Sequence, residues 1–230
     1  MINVVNQAED KVLLKRALIS TADKTGLDLL IDGLLRINPD LVIYSTGGTF
    51  TRIAEIIGPG YQQNLKQVSE YTGHPEMQGG LVKTLDYKIY LGLLSESFNE
   101  AHEHDLGATG AERLDLVVVN LYPFEKTVAG ADITTEHARG QIDIGGPCML
   151  RAAAKNYLRV AALCEPADYQ GFLAILREKG GATTLDDRFL LARKVFAHTA
   201  AYDAAIASYL SGHDANRIGH SYELLTREEQ

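Results

Sequence analysis

The segment STGGT at residues 45–49 has the composition of a phosphate-binding turn. Adjacent glycines let backbone N–H groups point to one place, hydroxyls add donors, and a helix N-terminus favours an anion. The alternative is a purely structural turn in which a hydroxyl caps the helix that follows. We predict that this turn binds phosphate, and its candidate ligands are Thr46, Gly47, Gly48 and Thr49.

A second segment, STADKTG at residues 20–26, has the same form and adds a lysine. Both segments follow a short run of apolar residues, so both are expected at the same edge of a sheet. Two such turns support phosphate binding more strongly than either does alone. Asp23 is either a ligand contact or a helix cap. The candidates from this turn are Ser20, Asp23 and Lys24.

Two further pairs of residues have the chemistry of a base-binding and proton-transfer site. Asn120 and Tyr122 lie at the end of the most hydrophobic run of the chain. Polar groups in such a place need hydrogen-bond partners, and a ligand is one candidate partner. Asp143 precedes a Gly-Gly-Pro helix start, and Lys155 lies about 12 Å along that helix. Because helical side chains tilt toward the N-terminus, Lys155 can reach back and form an acid/base pair with Asp143. The alternative is a salt bridge of no catalytic consequence.

The remaining reactive residue types give weaker signals. Lys83 and Thr84 follow a diglycine in GGLVKTL, although a lysine there is by default a solvated charge. The seven histidines show no metal-binding pattern. Cys148 and Cys164 stand in apolar surroundings without metal-type spacing, which predicts small buried side chains in a reducing compartment.

These residues must be positioned by strands that alternate with helices. Apolar, β-branched runs predict strands, and 3.6-residue periodicity predicts helices between them. Such alternation indicates an α/β sheet whose ligands bind beyond the carboxyl ends of the strands. We predict one domain over residues 1–230, with a sheet core at about 12–165 and a helical extension at about 166–212 packed on it. The predicted strands are 16–20, 41–44, 116–121 and 160–163, and the predicted helices are 27–35, 49–57, 147–156, 169–179 and 186–210.

Composition excludes several classes of protein. The 30 acidic side chains outnumber the 22 basic ones, and no Lys/Arg-rich run is present, which argues against a protein that tracks a nucleic-acid backbone. No apolar run approaches the length needed to span a membrane. The polar N-terminus lacks the basic and apolar regions of a secretory signal, so we expect a cytoplasmic location.

Taken together, the motifs resemble those of the IMP cyclohydrolase domain of the bifunctional AICAR transformylase/IMP cyclohydrolase. The resemblance covers about residues 16–210, and NLYPF followed by IDIGGP and LRAAAKN carries most of its specificity. The other matching segments, in the same order as in the family, are ALISTADKTGL, STGGT, SEYTGHPEM, GGLVKTL and FAHTAAYDAAIASYL.

The resemblance implies a methylglyoxal-synthase-like three-layer α/β fold with a mostly parallel sheet. It also implies that 5-formamido-1-(5-phosphoribosyl)imidazole-4-carboxamide is closed to inosine monophosphate (IMP) with loss of water, without a metal or an organic cofactor. A homodimer is expected. No transformylase half follows in the sequence, so we also expect a functional partnership with a separate AICAR formyltransferase.

The family's residue roles transfer to matching positions only. Lys24 and the STGGT turn resemble the phosphate and ribose contacts, and Lys83 resembles the lysine near the reacting base. Lys155 resembles the lysine that donates and accepts the proton. The other base-recognition and catalytic positions that match are Thr84, Asn120, Tyr122, Asp143, Ile144 and Gly145.

The sequence departs from the family pattern near the expected phosphate. Leu81 stands where an arginine is usual, Ala22 replaces a serine, and Asp86-Tyr87 replaces His-Pro. Arg52, one turn into the helix after STGGT, is a candidate replacement for the missing arginine; the alternative is a solvated side chain.

Two rival functions follow from these departures. One is a non-catalytic nucleotide-binding or regulatory module, and the other is an enzyme for a different phosphorylated substrate, as in methylglyoxal synthase. Retention of Lys83, Tyr122, Asp143 and Lys155 together favours catalysis, because a binding module has no need of that set.

Overall fold

The computed structural model describes residues 5–74, 84–130, 133–214 and 218–225. The chain divides into two compact units. The first consists of Met1–Leu121 and Ile144–Phe196, and the second of Tyr122–Asp143 and Ala197–Gln230. The arrangement as one domain with a packed helical extension stays a prediction.

The first unit is built on a five-stranded sheet in the order β4-β3-β2-β5-β6, with every neighbouring pair parallel. All carboxyl ends therefore lie at one edge, as the alternation of strands and helices predicted. A separate antiparallel pair, β1 with β7, was not predicted. The strands are β1 Val12–Leu13, β2 Arg16–Thr21, β3 Val42–Ser45, β4 Leu65–Gln67, β5 Leu116–Asn120, β6 Ala161–Leu163 and β7 Ala182–Thr183.

Ten helices accompany these strands in the described part of the chain. Each helix predicted from periodicity is present, with bounds that differ by a few residues. The five helices between β4 and the eighth helix were not predicted. The helices are α1 Leu27–Ile37, α2 Gly47–Ile57, α3 Val68–Thr72, α4 Tyr87–Leu94, α5 Glu100–Thr109, α6 Phe124–Val128, α7 Thr135–Gly140, α8 Gly145–Lys155, α9 Tyr169–Glu178 and α10 Leu185–Ser211.

Helices cover both faces of the parallel sheet. Ala17 and Ile19 belong to a core shared with α1 and α9, while Leu18, between them on β2, is equally buried. Burial on both faces explains why the central strands are continuous apolar runs rather than alternating ones. α8 packs on β5 and β6, and it also packs against α4. No helix among the described residues is long and apolar enough to cross a membrane.

Ion pairs close the amino-terminal edge of the sheet, opposite the expected ligand edge. Asp115 accepts hydrogen bonds from the backbone N–H groups of Lys15 and Arg16, each at 2.9 Å, and it pairs with Arg159 at 2.6 Å. A cavity of about 530 Å³ lies at this edge. The Arg159–Asp115 pair and the Arg16–Glu112 pair line it, so opposite charges compensate each other there.

Gly92 permits the close approach of α4 to the backbone before β5. A Cβ at this position would collide with the Glu112 carbonyl oxygen. We expect Gly92→Ala to destabilise the fold by about 1–3 kcal/mol, because backbone must move to accept it. Gly107→Ala in α5 is the matched control: nothing lies near its Cβ, so it should stabilise by about 0.5–1 kcal/mol. Urea denaturation measures both; equal effects would contradict the close-packing explanation.

Candidate functional site

The two predicted phosphate-binding turns meet at the carboxyl edge of the sheet. Ser20 is the penultimate residue of β2, and Thr46 directly follows β3. The Oγ of Ser20 lies 3.3 Å from the Oγ1 of Thr46. Because β2 and β3 are neighbouring parallel strands, their hydroxyls converge on the N-terminal end of α2.

The backbone at the start of α2 suits an anion. Thr46 is the extended N-cap residue, and Gly47 adopts a positive φ of 48°, a conformation that favours glycine. Gly48 follows with open space where a Cβ would stand. The N–H of Thr49 donates to the carbonyl of Thr46 at 3.1 Å, so the N–H groups that can serve a phosphate oxygen are those of the two glycines at the helix start.

Thr49, one of the predicted phosphate ligands, directs its hydroxyl to the end of β2. Its side chain is buried, and its Oγ1 accepts from the N–H of Thr21 and donates to the carbonyl of Thr21, each at 3.1 Å. The hydroxyl is therefore engaged in joining α2 to the end of β2. It holds the two turns together, and the predicted contact of Thr49 with phosphate stays a prediction.

The Asp23 side chain does not cap α1, whose N-cap residue is Gly26, but its carboxylate stabilises the turn before that helix. Its Oδ1 accepts from the N–H of Thr25 at 2.9 Å and from the Thr25 hydroxyl at 2.7 Å. Such local bonds from aspartate stabilise the backbone before a helix. The carboxylate thus shapes the loop before α1, and the predicted ligand contact of Asp23 stays a prediction.

Lys24 lies beside this turn and is partly buried. Its Nζ donates to the carbonyl of Thr21 and, at 3.4 Å, to the carbonyl of Ala22. Burial lowers the pKa of Lys24 below the ordinary lysine value, and the negative charge of Asp23 opposes that shift. A partly desolvated ammonium interacts strongly with an incoming phosphate, provided that it remains protonated.

We expect Lys24→Met to weaken IMP binding about 10- to 100-fold, the loss of one charge-assisted contact. Because the pKa is lowered, wild-type affinity should fall as the pH rises through a range below that of an ordinary lysine. Lys24→Arg should bind without that decline. Calorimetric titration with IMP across pH measures both, and a pH-independent wild-type affinity would contradict the role of Lys24.

Asn120 also turns its side chain to the backbone. Its Oδ1 accepts from the N–H of Asp23 and its Nδ2 donates to the carbonyl of Asp23, each at 2.8 Å. The partners that a polar residue needs at the end of a buried strand are thus supplied by the neighbouring loop. The Asn120 amide thus holds the loop that carries Lys24, and its predicted base-recognition role stays a prediction.

At the same edge, Thr84 and Gly145 come together at the start of α8. Thr84 is buried, and its Oγ1 lies 2.7 Å from where a Cβ on Gly145 would stand. Glycine at this helix start is therefore required by contact with the threonine. Ile144, the N-cap residue of α8, is 55% exposed. Lys83 and Leu81 lie outside the described residues.

Lys155 is the last residue of α8 and is exposed. It stands ten residues beyond Gly145, about 15 Å along the helix at 1.5 Å per residue. Sequence analysis placed it about 12 Å from a helix start at Pro147, but the helix begins two residues earlier. The predicted reach back toward the N-terminus of α8 is corrected accordingly, and the proton-transfer role of Lys155 stays a prediction from the resemblance.

The second unit holds Tyr122 and Asp143. Tyr122 is 51% exposed at the start of this unit. The N–H of Asp143 donates to the hydroxyl of Tyr202 at 2.9 Å, and that hydroxyl donates to the carbonyl of Gln141 at 3.3 Å. Tyr202 thus fixes the backbone on which Asp143 stands. Sequence analysis assigned Tyr202 only to the late helix, because its hydroxyl gives no periodic signal.

Two protein-family models match this chain. The model described as MGS-like domain matches residues 34–148, and the model described as AICARFT/IMPCHase bienzyme matches residues 153–230. The matched segments include the STGGT turn, Asp143, Ile144 and Gly145 in the first case and Lys155 in the second. The chain belongs to the AICARFT/IMPCHase family. The fold predicted from the resemblance is confirmed, since the five-stranded parallel sheet is that of an MGS-like domain.

Curated relatives in the AICARFT/IMPCHase family share nearly half of the residues aligned. The bifunctional purine biosynthesis protein PurH of Magnetococcus marinus is 48% identical over 87% of this chain and 36% of its own length. The protein of the same name from Bacillus cytotoxicus is 47% identical over 86% of this chain and 37% of its own length. The chain therefore spans just over a third of the length of these relatives.

One solved structure is similar to this chain over most of its length. The crystal structure of ForH is 31% identical, with a TM-score of 0.73, and the match covers 84% of this chain and 95% of that one. The likeness thus extends over almost the whole of the neighbour.

The structure also bears on the residues where this AICARFT/IMPCHase chain departs from its family pattern. Arg52 is the candidate replacement for the arginine that is usual at the position of Leu81. It is exposed and pairs with Glu55 at 3.1 Å, which fits the alternative of a solvated side chain.

Cys164 is buried, and burial raises the pKa of its thiol to about 12, as expected of an inert side chain. Cys148 is only half-buried. Within the described residues, no group of three or more His, Cys, Asp or Glu could hold a metal ion.

Proposed function

We propose that this chain is an IMP cyclohydrolase. It closes 5-formamido-1-(5-phosphoribosyl)imidazole-4-carboxamide to IMP with release of water, the last step of de novo purine synthesis. The observation that carries the proposal is the meeting of the Ser20 and Thr46 hydroxyls at the glycine-rich start of α2 in a chain of the AICARFT/IMPCHase family. That arrangement suits a phosphate at the edge where ligands of parallel sheets bind.

The reaction joins two groups that one substrate already carries. The carboxamide nitrogen attacks the formyl carbon, the formyl oxygen takes up protons, and it leaves as water. The protein has to orient the two groups, stabilise the developing oxyanion and move protons. In our proposal Asp143 orients or deprotonates the carboxamide, and Lys83 and Tyr122 stabilise the oxygen. Lys155 is proposed as proton donor from the family resemblance alone.

The phosphate end of the proposed site is smaller than the predicted set. Ser20, Lys24, Thr46, Gly47 and Gly48 remain as proposed phosphate and ribose contacts. Thr49, Asp23 and Asn120 support these contacts through the backbone instead. On the base side, Thr84, Ile144 and Gly145 are the proposed contacts at the start of α8.

We further propose a cytoplasmic homodimer that needs no metal or organic cofactor and binds neither nucleic acid nor membrane. The description of the family joins AICARFT and IMPCHase activities, and a functional partnership with an AICAR formyltransferase is therefore part of the proposal. Co-purification and substrate channelling between the two proteins test this part; failure of both would remove it.

The proposed activity is tested with purified chain and the formylated ribonucleotide. IMP formation is followed by ultraviolet absorbance and confirmed by chromatography, with chelator present in a parallel sample. We expect turnover in both samples. Tight IMP binding without turnover would instead support the rival regulatory module.

A further inference from the structure

Tyr169, the first residue of α9, lies directly beneath the turn that carries Lys24. Its side chain is 1% exposed. A Cβ at Gly26 would lie 3.4 Å from its Cδ2, so the ring supports the end of the turn. Gly26 itself has a φ of 69° and begins the loop-to-helix transition before α1. A side chain smaller than tyrosine would leave this turn without that packing contact.

The Tyr169 hydroxyl is connected to the same turn through Asn120. The Asn120 side chain is a hydrogen-bond partner of the Tyr169 hydroxyl. The same amide group holds both the N–H and the carbonyl of Asp23, each at 2.8 Å. Burial raises the pKa of Tyr169 to about 12, so the hydroxyl stays neutral under ordinary conditions. Tyr169 therefore fixes the rotamer of the residue that fixes Asp23.

The position of Asp23 determines the position of Lys24. The two residues are consecutive, and the Lys24 ammonium folds back on the carbonyls of Thr21 and Ala22. A change in the Asp23 peptide would displace the ammonium relative to the Ser20–Thr46 hydroxyl pair. The buried chain of contacts runs from α9 through β5 to the turn after β2, three elements that are distant in sequence.

We propose that Tyr169 is a positioning residue for the phosphate of the nucleotide, acting through Asn120 on the Asp23–Lys24 turn. The identity of the ligand rests on the proposed function; the geometry of the support does not. Tyr169 touches no substrate atom in this proposal. Its effect is to keep the phosphate contacts preorganised before the nucleotide arrives.

The test measures binding of IMP and of inorganic phosphate by calorimetry, which requires no turnover. Tyr169→Phe removes only the hydroxyl and should raise the dissociation constants of both ligands about two- to tenfold. Where turnover is measured, KM should rise and kcat should change little. Tyr61→Phe, a hydroxyl deletion elsewhere in the same unit, should change neither constant.

A coupling measurement separates positioning from simple destabilisation. In a Lys24→Met background, Tyr169→Phe should weaken binding no further, because the group it positions is gone. Asn120→Ala should reproduce the loss, and Tyr169→Phe should add nothing to it, which keeps the test available if one variant folds poorly. Unchanged affinity in Tyr169→Phe, or equal losses with and without Lys24, would overturn the proposal. Absence of binding by the wild type would overturn the proposed function and this inference with it.

Discussion

Asp143→Asn is expected to lower turnover of the formylated ribonucleotide about 100- to 10,000-fold, the range typical of losing a general acid or base. The substitution retains the backbone N–H that donates to Tyr202, so the loop should keep its position. It replaces a carboxylate that can accept the carboxamide proton with an amide that cannot. Because Asp143 is not among the proposed phosphate contacts, IMP affinity should change little. Steady-state kinetics and calorimetry measure the two effects separately.

Asp203→Asn provides the matched control for this prediction. Asp203 is an exposed aspartate of the same unit, carried on α10. Its substitution removes one carboxylate from the surface and should leave turnover unchanged. If Asp143→Asn also retained full activity, Asp143 would have no part in proton transfer, and the proposed mechanism would fail at its acid/base step.

Arg188→Met is expected to cause the largest loss of stability, about 3–4 kcal/mol in the free energy of unfolding. Arg188 lies on α10 within the first unit and is fully buried. Its guanidinium donates to five backbone carbonyls that no single element could satisfy. These are the carbonyls of Glu9, Asp10, Tyr157, Leu158 and Thr183. Removing the guanidinium leaves these carbonyls without the buried donor that they share.

Arg193→Met is the control for Arg188. Arg193 lies on the same helix but is exposed, so its loss should change stability by no more than about 0.5 kcal/mol. Denaturant unfolding with matched slopes gives both values. A small effect of Arg188→Met would mean that water or a neighbouring donor replaces the guanidinium, and the buried network would then contribute little to stability.

The parts of the fold that sequence analysis predicted are those with strong periodicity. β5 is an uninterrupted apolar run, and α1 places Leu27, Leu30, Ile31 and Leu34 on one buried face. α5 was missed because it carries six polar or charged residues around a single buried leucine, Leu106, and has no apolar face. β4 spans only Leu65–Gln67, and its composition gives no clear strand signal. It is a strand because it pairs with β3.

Sequence analysis predicted the location of the candidate site better than it predicted the contacts of each side chain. The Ser20–Thr46 contact follows from two hydroxyl-rich turns after neighbouring parallel strands. The backbone contacts of Thr49 and Asn120 could not be predicted, because a hydroxyl or an amide can bond either to backbone or to a ligand. Only the structure shows that Thr21 and Asp23 occupy them. Tyr169 gave no chemical signal at all, since it reads as an apolar anchor at the start of a helix.

The most direct test of ring closure by this chain follows the formyl oxygen. Substrate labelled with oxygen-18 in the formyl group is incubated with the purified chain, and the products are analysed by mass spectrometry. We predict IMP that accumulates in proportion to protein and time and contains no label, with the label appearing in water. Formation of IMP no faster than without protein, or release of labelled formate with the free amine as product, would contradict the cyclohydrolase assignment.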